Sequence, residues 1–218
     1  MDNSLLVEKI HEKYAKQIGS DQIATKLALK VISDHIELTM PESVLEISSG
    51  IGTITDLLIH QLPSTSEIFC YEVNDFCLEQ LKKNVRITRI KLLDELSKLQ
   101  KIDSHIDFII IDDLLDKRTT FELIRQTTPR SLFIEGHRRM QRLHVMLAYR
   151  HIGKFFSFRN IRKTGGSHKG GCFIYLETNS NHKELIYILY VRFTLVYSKC
   201  LEIRSKISLR KFFIKHKP

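Results

Sequence analysis

The stretch Val44-Leu45-Glu46-Ile47-Ser48-Ser49-Gly50-Ile51-Gly52-Thr53-Ile54-Thr55 carries one carboxylate inside an apolar run and then breaks into a turn with two glycines one position apart. A glycine turn at the C-terminal end of a strand, leading into a helix, presents free backbone N–H groups to an anion. Two residues separate it from a dinucleotide fingerprint. Thr55 stands in the third glycine's place, and Glu46 would face a pyrophosphate with the wrong sign. The pattern suits a ligand that brings a positive charge and no phosphate. Twenty residues beyond Gly52, the run IFCYEV ends on Glu72 and Val73, and an acid there is placed to bind ribose hydroxyls.

Further candidates follow the later apolar runs. Asp112 and Asp113 close IDFIIIDD; Glu135, Gly136, His137, Arg138 and Arg139 follow SLFI; His168 and Lys169 lie in a Gly-rich stretch, 164–171. A neutral imidazole accepts a hydroxyl proton near pH 7, so His137 is the first candidate general base; a surface histidine at a helix start is the competing reading. Asp113 could be a base, a metal ligand or a hydrogen-bonding group. Arg138, Arg139, His168 and Lys169 could hold a phosphorylated, carboxylated or nucleotide-linked small molecule, or track an RNA backbone. Phe155, Phe156 and Phe158 beside Arg159 and Arg162 read either as a stacking platform for bases or as strand core.

The elements that must position these residues are punctuated by proline. Pro41, Pro63 and Pro129 each follow a helical pattern and precede a short apolar run, as expected where helices stop and strands begin. Such runs, separated by helical segments at 75–84 and 138–150, predict βαβ units around a parallel sheet buried on both faces. The 86–93 run is expected to form a short strand. Two further strands, 154–162 and 172–177, should form a hairpin closing the sheet. Upstream, residues 4–17 read as a short amphipathic helix, and Ser20 as the N-cap of a second carrying Ile23, Ala24, Leu27, Ala28, Val31 and Ile32 on one stripe. The chain thus divides into N-terminal helices (1–38), a core (39–180) and a basic amphipathic helical extension (181–218).

At 218 residues and 43% hydrophobic, the chain suits one α/β domain with an appendage. The mixed-charge N-terminus is not a secretory signal. Cys70, Cys77, Cys172 and Cys200 form no CxxC pair or zinc spacing, which fits reduced thiols and a cytoplasmic setting. The net charge of +9 is unevenly distributed: residues 1–135 hold 16 basic and 22 acidic side chains, and residues 136–218 hold 18 and 3. The second half is expected to meet something anionic. The apolar stretch within 185–197, interrupted by Arg192, is too short to span a bilayer, but could lie at a membrane interface or pack on a second subunit.

Taken in order, Glu46, the Gly50–Gly52 turn, Glu72 and IDFIIIDD resemble the motifs of the class I, Rossmann-like S-adenosylmethionine-dependent methyltransferases. The resemblance covers roughly residues 20–178, with Ser48 in place of the first family glycine. It implies a seven-stranded, mostly parallel doubly wound sheet ending in an antiparallel hairpin. S-adenosylmethionine would be bound by Glu46, Ser48, Gly50, Gly52, Glu72, Val73, Asp94 and Asp112. Some small-molecule O-methyltransferases of this kind place Mg²⁺ on acids after the fourth and fifth strands. Asp112 or Asp113 with Glu135 could imitate that, but Glu135-Gly136 replaces the usual Asp-Asn pair, and no metal is expected. The Asn-Pro-Pro-Tyr type of motif for base-amino methylation is absent after IDFIII. O-methylation of a small anionic substrate leads, with an RNA methyltransferase and a non-catalytic nucleotide-binding scaffold as alternatives.

Overall fold

A computed structural model describes residues 2–96, 105–136, 138–161, 170–177, 188, 189 and 193. The chain divides into two compact units, Met1–Ser180 and Asn181–Pro218. In the second, only residues 188, 189 and 193 are described, all helical, so the expected tail helix falls largely outside the described residues. No described helix is long and apolar enough to cross a membrane.

The first unit runs α1 (Asn3–Tyr14), α2 (Lys26–Thr39), β1 (Ser43–Ile47), α3 (Thr53–Gln61), β2 (Glu67–Tyr71), α4 (Asp75–Asn84) and β3 (Lys91–Leu93). It continues with β4 (Phe108–Ile111), α5 (Lys117–Thr127), β5 (Ser131–Glu135), α6 (Arg139–His151), β6 (Phe155–Ile161) and β7 (Gly171–Glu177). The strands form one seven-stranded sheet in the order β3-β2-β1-β4-β5-β7-β6. Pairing is parallel from β3 to β5, and β7 runs antiparallel to both β5 and β6. The expected architecture, a parallel sheet closed by a hairpin, is what forms.

The continuous apolar runs form central strands because both faces of the sheet are covered. Val44, Cys70, Phe108, Ile110, Phe133 and Phe173 share a core with Tyr14, Ala28, Leu29, Ile32, Leu57 and Leu58 of α1, α2 and α3. Their alternates Leu45, Ile47, Ile109, Ile111, Leu132 and Ile134 are as completely buried on the other side. Side-chain caps fix several helix starts: Asn74 accepts from the Cys77 N–H and Asp116 from the Thr119 N–H, both at 3.0 Å.

One expectation fails locally. Ser20 opens only a 3₁₀ turn, Ser20–Gln22, and α2 starts at Lys26 with Thr25 as N-cap, its hydroxyl accepting from the Ala28 N–H at 3.1 Å. Gly19 is left-handed (φ 89°) and Ile23 is extended, so the chain crosses the sheet's end before it turns helical. Similarly, the 86–93 run splits into a 3₁₀ turn, Ile87–Arg89, and the three-residue β3.

Candidate functional site

In an open α/β sheet a ligand lies outside the C-terminal ends of the strands, where the strand order reverses. Here that point is between β1 and β4. A cavity of about 50 Å³ lies there, lined by Glu46, Ser49, Gly50, Ile51, Thr53 and Asp112, and roofed by Gly19, Gln22, Ile23 and Ala24. It is far smaller than ligand pockets of roughly 300–1,000 Å³. A nucleoside-sized ligand therefore needs the 19–24 segment to shift, or extends into the groove beside Gly50.

Glu46 forms one wall. It is only 1% exposed, and Thr55, in the first turn of α3, donates its hydroxyl to Glu46 Oε2 at 2.6 Å. Burial pushes its pKa up to about 8; the Thr55 bond opposes this and the Asp112 charge adds to it. At neutral pH the carboxyl is mostly protonated, and a cation beside it would drive ionisation.

The turn is pinned from β2. Tyr71 O accepts from the Ser48 N–H at 2.7 Å, and Glu72 Oε2 accepts from the Gly50 N–H at 2.7 Å. Glu72 Oε1 accepts from the Asn74 N–H at 2.8 Å. Both oxygens are thus oriented by backbone, each with a second lone pair to offer. Ser48 takes the left-handed conformation of the glycine it replaces (φ 62°), and its hydroxyl reaches Asp113 Oδ2 at 3.3 Å.

The two glycines have different neighbours. A Cβ on Gly52 would lie 2.9 Å from both Leu81 Cδ1 and Val85 Cγ1, so this glycine lets α4 pack against the turn. A Cβ on Gly50 would meet no atom of the described residues within 4 Å. Its missing side chain leaves open space beside the turn. The Thr53 hydroxyl, in the same wall, is buried without a hydrogen-bond partner among the described residues. Open space at Gly50, the unpaired Thr53 hydroxyl and two carboxylates flanking the turn fit an adenosyl ligand bearing a positive charge.

The other candidates divide. Val73 is exposed after β2, and Asp94 follows β3. Arg139 begins α6, half-buried. Asp113 is exposed, with Oδ1 accepting from the Leu114 N–H at 2.6 Å. His137, His168 and Lys169 lie outside the described residues. Arg138 turns back onto the ends of β4 and β5, where Nη2 donates to Asp112 O (2.9 Å) and lies 2.9 Å from Asp112 Oδ1. Nη1 donates to Glu135 O (2.8 Å) and Glu135 Oε2 (3.1 Å). The place between the two acids contains a guanidinium, so the pair as it stands does not fit a metal. Burial, followed by the Glu135 charge, raises the Asp112 pKa to about 7 against the opposing pull of Arg138.

Sequence reasoning missed Arg142 and Asn160. Arg142, 2% exposed, donates through Nη1 to Asn160 Oδ1 (2.9 Å) and through Nη2 to Gly136 O (2.7 Å), which ties the end of β5 to β6. Its spacing within α6 marks it as a core-facing position, but no motif announces it.

No protein-family model matches this sequence, and no curated protein matches it significantly. Solved structures do match. A methyltransferase from Geobacter sulfurreducens aligns with a TM-score of 0.56 at 15% identity, over 79% of this chain and 89% of its own. An O-methyltransferase from Bacillus cereus, in complex with SAH, aligns with a TM-score of 0.53 at 16% identity, over 81% and 90%. The SAM-bound O-methyltransferase TomG from Streptomyces achromogenes, involved in tomaymycin synthesis, gives 0.51 at 14%, over 82% and 91%. The fold is the Rossmann-like fold of the class I S-adenosylmethionine-dependent methyltransferases.

Proposed function

We propose that this protein is an S-adenosylmethionine-dependent methyltransferase that O-methylates a small anionic substrate. The observation that carries the cofactor reading is the Glu72 carboxylate, held by the Gly50 and Asn74 amides beside a glycine whose side-chain space is open. Glu72 would take the ribose hydroxyls, and the Gly50 backbone allows close approach. Glu46 would stabilise the ligand's ammonium, losing its proton as it does so. When bound, S-adenosylmethionine supplies an electrophilic methyl group on a sulfonium. With so good a leaving group, the chain's remaining tasks are to align the acceptor and remove its proton. We assign proton removal to His137, with Asp113 as the second candidate. Support for an anionic acceptor comes from the 18 basic against 3 acidic residues in 136–218.

Calorimetric titration with S-adenosylhomocysteine tests the cofactor reading, with NAD as the control ligand and Glu72→Ala beside the wild type. Binding of the homocysteine nucleoside alone, weakened about tenfold or more in the variant, is expected. No binding of either ligand by folded protein would sink the reading and favour a non-catalytic scaffold.

A further inference from the structure

We propose that Arg138 is a resident cation in a four-oxygen site of the kind that otherwise holds a divalent metal, and that its guanidinium makes the Asp112–Glu135 acid pair unavailable to such metals. The proposal rests on the geometry at the ends of β4 and β5 and not on the methyltransferase reading. These strands are parallel neighbours, with Ile111 opposite Ile134, so the next residues along, Asp112 and Glu135, lie side by side. Each contributes a carboxylate oxygen and its own carbonyl oxygen, and all four lie 2.8–3.1 Å from the terminal nitrogens of one guanidinium. Two carboxylates and two carbonyls are the hard oxygen set that Mg²⁺, Mn²⁺ or Ca²⁺ prefers. Here the positive charge is supplied by a side chain whose planar fork matches paired carboxylates.

The chain around the site is shaped for this cation. Gly136 turns left-handed (φ 68°), which sends the chain back so that a residue three positions after Glu135 can reach it. A Cβ on Gly136 would lie 3.1 Å from Arg138 Nη1, so a larger residue there crowds the guanidinium. Arg142 holds the Gly136 carbonyl from below at 2.7 Å and fixes the turn. Glycine at 136 therefore offers no side-chain ligand and leaves room for the arginine.

The test measures Mn²⁺ binding by electron paramagnetic resonance, with melting temperature as a second readout, on full-length wild type, Arg138→Ala and the double variant Arg138→Ala/Asp112→Asn. Wild type should bind no Mn²⁺ at this site and melt at the same temperature with and without it. Arg138→Ala should bind one Mn²⁺ per chain at least about tenfold more tightly than wild type, and Mn²⁺ should raise its melting temperature. The double variant should lose both effects. If Arg138→Ala does not fold, the neutral and nearly isosteric Arg138→Gln carries the same comparison. Wild-type Mn²⁺ binding that Asp112→Asn abolishes would overturn the proposal, because the guanidinium would not be blocking the site. So would folded Arg138→Ala and Arg138→Gln proteins that bind no Mn²⁺.

Discussion

Gly50 and Gly52 look equivalent in the sequence, and their surroundings separate them. Gly52→Ala adds a Cβ against Leu81 and Val85 at φ 100° and should cost about 2–4 kcal/mol in urea unfolding. Gly50→Ala meets no atom of the described residues; the left-handed backbone alone should cost about 1–2 kcal/mol, with a larger proportional loss in S-adenosylhomocysteine affinity. Equal losses in both stability and affinity for the two variants would refute the division. Glu46 gives a pH prediction. Its pKa is raised from 4.5 to about 8 on folding, so the folded chain keeps a proton the unfolded chain has released. Stability should then fall as pH rises from about 4.5 to about 8, by at most about 1.4 kcal/mol per pH unit from this group. Glu46→Gln should flatten that part of the profile, read as the difference between two proteins that share every other titrating group. A pH profile unchanged in the variant would show that Glu46 ionises normally.

At the scale of elements, the parallel strands were legible because burial on both faces leaves little but apolar residues in them, as in IDFIII. The helix boundary near residue 20 was not, because Ile23 and Ala24 continue the apolar stripe of α2 while serving instead in the extended roof of the cavity. Glu46, Gly50 and Glu72 could be read because motif order alone brings them to strand ends. The seat of Arg138 could not, since it depends on the register of β4 against β5. Packing between α1 and α3 was equally hidden. Asp56, buried in α3, pairs with Lys13 Nζ at 2.7 Å, and His60 Nδ1 lies 2.8 Å from the Asp56 carbonyl oxygen. Asp56→Asn should cost about 1–2 kcal/mol by urea unfolding, with the difference shrinking at high salt. A salt-independent loss would point to packing in place of charge.

Across the whole molecule, charge is partitioned unevenly between the two units. Residues 1–180 hold 25 basic and 23 acidic side chains, and residues 181–218 hold 9 and 2. The full chain should bind a heparin column and elute only at raised salt, while a 1–180 version should pass at low salt. Equal retention would place the anion-binding surface in the first unit, among residues such as Arg139 and Arg159.

The roof formed by Gly19, Gln22, Ile23 and Ala24 has a kinetic consequence. A nucleoside that lies under the roof, and not in the groove beside Gly50, cannot enter a space of about 50 Å³ until the roof lifts, and the roof must lift again before it leaves. In a stopped-flow mixing experiment the observed rate should level off as ligand concentration rises, at the frequency of that opening. Shortening the side chains that hold the roof down should raise the plateau. Phe76 is the one to cut: its ring would lie 2.9 Å from a Cβ on Gly19, so it sits directly against the first residue of the roof.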